Sequence, residues 1–432
     1  MKHIAGSSRL LRALNETAAL GHLLERGPLT RGQLRELTGL AKPTASEVIR
    51  RLQDAGLVRV VGRTSGGPGP NAEVYAVNPD AGYAAAVSVR VDALAVAICD
   101  LTGEVRATVA AEVDFAATDP VDAVAEAVRR ACRQARIGVR KVDHVQVGVP
   151  GSYDPGSDTI RYVDVPGWSR PGLCGEIGRR LRTRVRVDND VNLAATAERR
   201  HGVAADHDSF ALLWLGEEGL GLAIDLGGTL LRGARGGAGE IGYMPVGLEW
   251  TFRDQSVPVG DGSPGLARST GRGDGGKPAG VPDFQDLVGG PGVRELGSQY
   301  GFAADTGHEA VAAAVAALTS EDLAKARTFL DALAVRIAVG LAAVVAVLDP
   351  SLVVLAGEVG RAGAAPLQDA VAAALRDLSV LETSVAATGV DDDPVLVGAL
   401  DASLSEVRAT LLGRAGTRSS LTARTPEKKE GP

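Results

Sequence analysis

Cysteine is scarce in this chain: Cys99, Cys132 and Cys174 are the only three in 432 residues, far apart and without paired spacing. That excludes a disulfide framework and a metal knuckle, and it fits a reducing compartment. Aromatic residues make up only 3% and methionine occurs twice, so a core must come from Ala, Val and Leu. No window holds 18 uninterrupted apolar residues, and the opening MKHIAGSSRLLRALNE is charged and lacks an apolar signal core. The expectation is a cytoplasmic chain with no membrane partner. Basic charge is also short, with a net of −7, but unevenly so. Residues 1–78 carry 11 Lys and Arg against 6 Asp and Glu, which leaves −12 for the rest. A basic head on an acidic body confines any polyanion contact to the head.

What is present is 45% hydrophobic residues and 55 glycines, enough for two or three α/β domains. In the head, residues 8–26 read as a helix with Leu10, Leu14, Ala18 and Leu24 as its apolar positions, stopped by Gly27-Pro28. Thr30 with Gln33 forms a capping-box start for a short second helix. Gly39 then turns the chain, and Pro43 opens a third helix that buries Val48, Ile49, Leu52 and Ala55. Two β-rich runs, 57–61 and 74–77, flank a Gly/Pro-rich tip. This order is that of a winged helix-turn-helix over residues 1–78, and it predicts operator DNA as the partner. Thr44 and Ser46, near the start of the third helix, are placed to reach bases. Lys42, Arg50, Arg51 and Arg63 suit phosphates.

Beyond Pro79 the pattern is a strand meander followed by helix–strand units, begun at residue 84 and begun again at Phe210. Such a duplication describes an actin-like or ribonuclease-H-like α/β body, here 79–205 and 206–415, with ligand in the cleft where strand ends converge. The stretch from Phe210 to Tyr243 carries a glycine turn, Gly216 to Gly219, of the kind that brings N–H groups to phosphate. Glu217 and Glu218 stand inside it, where a phosphate would meet two carboxylates. Residues 253–282 and 416–432, rich in Gly, Pro, Ser and charge, read as a disordered insertion and tail.

Gly148-Val-Pro-Gly151, Val165-Pro-Gly-Trp168, Asp188–Asn192 with Glu198, Gly236–Gly242 and Leu348-Asp-Pro350 with Val353–Gly357 follow one another in a fixed order. In that order they resemble the ROK family of sugar kinases and repressors, and with the head the chain is similar to its xylose- and N-acetylglucosamine-type regulators. The resemblance implies that Asn189 and Asp190 bind sugar hydroxyls, Asp190 standing where the kinases keep their base. It likewise implies sugar contacts at Glu240, Tyr243, Gln285 and Asp164. Tyr243 replaces a zinc-holding His of the kinases, and the following residues lack their cysteines, so no zinc is expected. From the residues alone, Asn189 and Asp190 could equally cap the helix that follows them.

On the nucleotide side the resemblance is broken. Ser88-Val-Arg-Val-Asp92 aligns with the family's Asp-x-Gly-Gly-Thr and has lost its metal carboxylate and both glycines. Asp225-Leu-Gly-Gly-Thr229 imitates the motif but sits in a hairpin and reads as a turn. ATP and magnesium are therefore not expected, and Asp190 is expected to bind rather than catalyse. The expectation is a non-enzymatic repressor, controlled by a sugar or sugar derivative and acting as a homodimer or homotetramer. Two alternatives stay open at this point: a regulator whose body only dimerises or docks another protein, and an active sugar kinase.

Overall fold

In the computed structural model, which describes residues 4–64, 72–246, 283–391 and 393–422, the head forms as its punctuation dictates. Helix α1 (Ile4–Arg26) ends at Gly27, whose φ of 77° only glycine adopts freely. Strand β1 (Leu29–Thr30) leads into α2 (Arg31–Thr38), where Thr30 and Gln33 close the capping box. After Gly39 comes α3 (Lys42–Asp54), which buries Ala45, Val48, Ile49 and Leu52. Strands β2 (Val58–Arg63) and β3 (Glu73–Val77) make the wing, and the sheet order is β1-β3-β2. The wing tip, 65–71, lies outside the described residues.

The buried face of α1 differs from the expected one. Leu10, Leu11 and Leu14 are all more than half exposed, while Ala19, Leu20 and Leu23 enter the core. The helix has leucine or alanine on nearly every side, so spacing alone does not select the seam. The packing partner does: α3 and β3 meet the C-terminal half of α1. The head's apolar cluster also runs on into Ala84, Cys99, Leu101, Leu404 and Val407, so the head is packed onto the body and not merely tethered to it.

Past the head come β4 (Tyr83–Val89), β5 (Ala93–Asp100), β6 (Val105–Glu112), α4 (Pro120–Gln134) and β7 (Val142–Val149). The chain continues with β8 (Ser152–Asp154), β9 (Thr159–Arg161), α5 (Leu173–Leu181), β10 (Arg184–Asn189) and α6 (Asp190–His201). The second round brings β11 (Phe210–Leu215), β12 (Leu220–Leu226), β13 (Thr229–Leu230), α7 (Phe284–Val288), α8 (Gly290–Gln299) and α9 (Gly307–Ala317). It closes with α10 (Leu323–Leu348), β14 (Leu352–Ala356), α11 (Gly357–Leu378), β15 (Ser384–Ala387) and α12 (Pro394–Thr422).

The duplication is explicit in the strand orders. Read from the outer strand of each meander, one sheet runs β6-β5-β4-β7-β10 and the other β13-β12-β11-β14-β15. Each is a meander extended by two strands. The described residues group into two compact units, one from those within 4–147, 174–187 and 399–422, the other from those within 148–173 and 188–398. The head thus belongs with the first sheet, to which α12 also returns.

One further expectation needs correction. Helix α12 continues to Thr422, past the point where a disordered tail was expected to begin at 416. Helix α10 is long and apolar enough to cross a membrane by length and composition alone. Its Phe329, Leu333, Ile337 and Leu341 are nevertheless fully buried in the cluster that includes Leu213 and Val353, which makes it a core helix of the second unit. The expected insertion, 253–282, lies outside the described residues, though Pro245 and Asp283 on its flanks pair in an antiparallel bridge.

Candidate functional site

All six residues expected to contact a sugar belong to the second unit. Strand β10 delivers Asn189 as the N-cap of α6, its Oδ1 accepting from Asn192 N at 3.1 Å. The capping role left open by the sequence is therefore filled. The amide nitrogen of Asn189 meanwhile donates to Gly151 O at 3.3 Å, tying the Gly148–Gly151 turn to the start of α6. Asp190 follows in the first turn and accepts from Val191 N at 2.8 Å.

Next to Gly151, the Ser152 hydroxyl donates to the Glu240 carboxylate. Burial pushes the Asp190 carboxyl up to about 7, with the Glu240 charge adding to the rise and that of Glu358 adding less. Burial also raises Glu240, against the lowering effect of the Ser152 hydrogen bond. Two carboxyls, both raised by burial, suit hydroxyl ligands, which can both donate and accept.

The glycine-rich loop brings Glu240 there by close approach. A Cβ on Gly236 would lie 2.2 Å from Tyr153 O, and one on Gly239 would lie 1.8 Å from Leu222 O. Gly242 abuts the side chain of Gln285 on α7, where a Cβ would meet Oε1 at 2.8 Å. Tyr243 then projects outward, its ring centroid 5.6 Å from that of Tyr162. Asp164, two residues beyond Tyr162, is exposed. The structure therefore links Asn189 to Glu240 through Gly151 and Ser152, sets the Glu240 charge acting on Asp190, places Gln285 against Gly242 beside Tyr243, and leaves Asp164 on the Tyr162 loop.

Ser152 and Tyr162 were not anticipated. Ser152 had a signal, since it directly follows Gly151. Tyr162 had none, because its φ of 55° cannot be read from sequence. Glu198, part of the motif set, is structural: it is 1% exposed and accepts from Val203 N and Gly389 N, both at 3.0 Å, and from the Thr388 hydroxyl.

The phosphate turn is filled by the chain itself. Glu217, between β11 and β12, reaches the N-terminus of α9. Its carboxylate accepts from Gly307 N at 3.1 Å and from His308 N, and His308 Nδ1 lies 2.8 Å away. A helix N-terminus favours an anion, and here that anion is a side chain. These residues do not fit a nucleotide's phosphates.

Asp225-Leu-Gly-Gly-Thr229 is a hairpin turn with Gly227 and Gly228 at φ 59° and 77°. Its Asp225 is buried against Arg199 at 2.6 Å. Among the described residues, no three His, Cys, Asp or Glu side chains are grouped to hold a metal. Replacing Glu217 by Ala should unpair the first turn of α9 and cost about 1–3 kcal/mol in urea denaturation. Unchanged stability would show that the carboxylate does not hold α9.

In the head, Lys42, Thr44, Arg50 and Arg63 are exposed. Arg50 is held along its own helix by Glu47 at 2.8 Å and Asp54 at 2.7 Å. Ser46 is half-buried and donates back to Lys42 O at 3.0 Å. Arg51 departs furthest from its expected place. Its side chain is 17% exposed, pairs with Glu47 at 2.8 Å, and lies 3.6 Å from Glu16 on α1. Glu16 is almost wholly buried and its other oxygen has no hydrogen-bond partner among the described residues, so burial raises its pKa. Arg51 is thus held by the α1–α3 packing that positions the outward face of α3. Nothing in the residue pattern distinguishes Arg50 from Arg51; only Glu16, a buried acid on another helix, does.

Known proteins resemble both parts of the chain. A MarR family profile matches residues 12–67. The Bacillus subtilis xylose repressor is 24% identical over 237 residues, 55% of this chain and 61% of that protein. The Escherichia coli K12 regulator NagC, described as a DNA-binding transcriptional dual regulator, is 24% identical over 245 residues, 56% of this chain and 59% of that protein. The matched stretch thus spans about three-fifths of the length of these curated relatives.

Among solved structures, a ROK family transcriptional regulator described as a homologue of the E. coli MLC protein superposes with a TM-score of 0.70 at 17% identity. It covers 94% of this chain and 99% of that one. A Streptomyces griseus ROK glucokinase solved with glucose and AMPPNP gives 0.56 at 23% identity, covering 75% and 100%. These likenesses establish the fold. With the ROK family profile matching residues 84–404, three-quarters of its length, the chain belongs to the ROK family.

Proposed function

We propose that this chain is a DNA-binding transcriptional regulator, a repressor of carbohydrate-metabolism genes. Its body binds a sugar or sugar derivative and transfers no phosphate. The observation that carries the reading is Glu217: its carboxylate, inside the Gly216–Gly219 turn, is seated on the α9 N-terminus, so a fixed negative charge occupies the anion-favouring end that a phosphate would need. Phosphoryl transfer works by positioning and charge neutralisation, and a fixed negative charge opposes both. The winged head, with Lys42, Thr44, Arg50 and Arg63 outward, supports operator DNA as the partner. The naming of the relatives as xylose repressor and NagC regulator supports sugar control. A homodimer would set two heads on a two-fold operator. Regulation requires the sugar to bind the free and DNA-bound forms with different affinity.

A gel-shift on the DNA upstream of the chain's own gene tests the head. The expected result is a shift at submicromolar protein, weakened about tenfold by Lys42→Glu or Arg63→Glu and falling steeply with salt. Absence of a shift, or a shift indifferent to both variants, counts against the assignment.

A further inference from the structure

Tyr162 and Tyr243 form an exposed aromatic pair beside the carboxyl recess. Their ring centroids are 5.6 Å apart and their planes tilted by 52°, and Tyr162 and Tyr243 remain 57% and 44% exposed. Large rings are rare in this chain, with six tyrosines in 432 residues, and two of them meet at one rim. Tyr162 is also held at a φ of 55°, a left-handed conformation that a bulky residue adopts at a cost. Backbone strain that holds an aromatic ring in solvent is a sign of a ligand contact and does nothing for the core. Tyr243 stands one residue past Gly242, which backs Gln285, and three past Glu240, so the chain carries the pair to within one short helical turn of the recess.

We infer that this pair is a second subsite, a stacking surface for a flat ring attached to the sugar, and that the preferred ligand is an uncharged glycoside or disaccharide, not a lone monosaccharide. Tyrosine rings offer apolar faces to the C–H face of a pyranose or to an aryl group. The Glu240 and Glu358 charges both act on Asp190, and negative charge gathered around it disfavours an anionic ligand. This inference rests on the sugar reading above and goes beyond it in naming the ligand class.

Calorimetry on the full chain tests it with paired probes: the methyl and 4-nitrophenyl β-glycosides of glucose, xylose and N-acetylglucosamine. For a sugar that binds, the 4-nitrophenyl member is expected about tenfold tighter than the methyl member. Tyr162→Ala should remove that advantage while leaving the methyl glycoside within about twofold, and Tyr162→Phe should keep it. Tyr162→Gly, which suits the left-handed backbone, should lose the advantage without lowering the melting temperature. Equal affinity for the two members, or equal weakening of both by Tyr162→Ala, overturns the subsite and leaves the sugar reading standing. Failure of all six probes to bind the wild-type chain overturns both.

Discussion

Asp190→Asn should make the unliganded chain more stable at pH 8, by about 2–4 kcal/mol, and should flatten its stability between pH 4 and 7. Burial raises the Asp190 carboxyl from 3.8 to about 7, so the folded chain prefers it neutral. A raised acid contributes most below its unfolded value. Its contribution is lost as pH climbs from about 4 through 7 and is flat beyond. Each decade is worth about 1.4 kcal/mol, and partial solvent access brings the total below the full product. Asn cannot ionise, yet its oxygen can still accept from Val191 N, so the helix start survives. Urea denaturation of both proteins at pH 5 and pH 8 reads the effect directly. A variant less stable than wild type at pH 8 would mean that the ionised carboxylate is stabilised in place, contrary to the raised value. A stability cost of that size, once measured, would support the proposed binding role of Asp190.

Gly239→Ala should be the most damaging single change in the site, costing about 3 kcal/mol or more and abolishing any response to ligand. The added methyl would fall 1.8 Å from Leu222 O, a backbone atom inside β12 that cannot move aside. Gly239 O also accepts from Leu222 N at 3.0 Å, so relieving the clash breaks that bond and displaces Glu240 next in the chain. At φ +92° the residue is strained for any L side chain even without the clash. Gly227→Ala separates the two effects, because its φ is 59° but nothing lies within 4 Å of an added Cβ. That control should lose only about 1 kcal/mol and keep the site intact. Comparable losses in the two variants would show that conformation, and not the approach to Leu222, explains the glycine.

The elements that sequence made legible were those with local punctuation. Thr30 and Gln33 announce their capping box, Gly39 its turn, and Asp225–Thr229 its hairpin, because each depends on residues a few positions apart. What escaped depends on distant partners. Arg51 turns inward because Glu16, 35 positions earlier, is buried against it. Leu10 and Leu14 stay out because the contact falls on Leu20 and Leu23 of an evenly apolar helix. The end of α12 reads as coil by composition, from Gly416 to Ser420, yet the helix runs through it.

In the site, family motifs pointed to Asn189, Asp190 and Glu240, which the fold brings together. Glu217 was legible as an obstacle to phosphate but not as an occupant, since its partners on α9 lie 90 residues on. Ser152, although it follows Gly151 in a motif, showed its role only through a hydrogen bond, and Tyr162 only through a backbone angle.

The central claim is that occupancy of the Asp190–Glu240 recess controls DNA affinity without phosphate chemistry. Fluorescence anisotropy of labelled upstream DNA, titrated with the full chain plus and minus a binding glycoside, and plus and minus ATP with magnesium, tests it in one measurement. The account predicts that the glycoside shifts the apparent Kd for DNA at least about fivefold, equally with or without ATP, and that Asp190→Ala abolishes the shift. A DNA affinity indifferent to every glycoside that binds, or a shift that requires ATP and is accompanied by sugar phosphorylation, would contradict it.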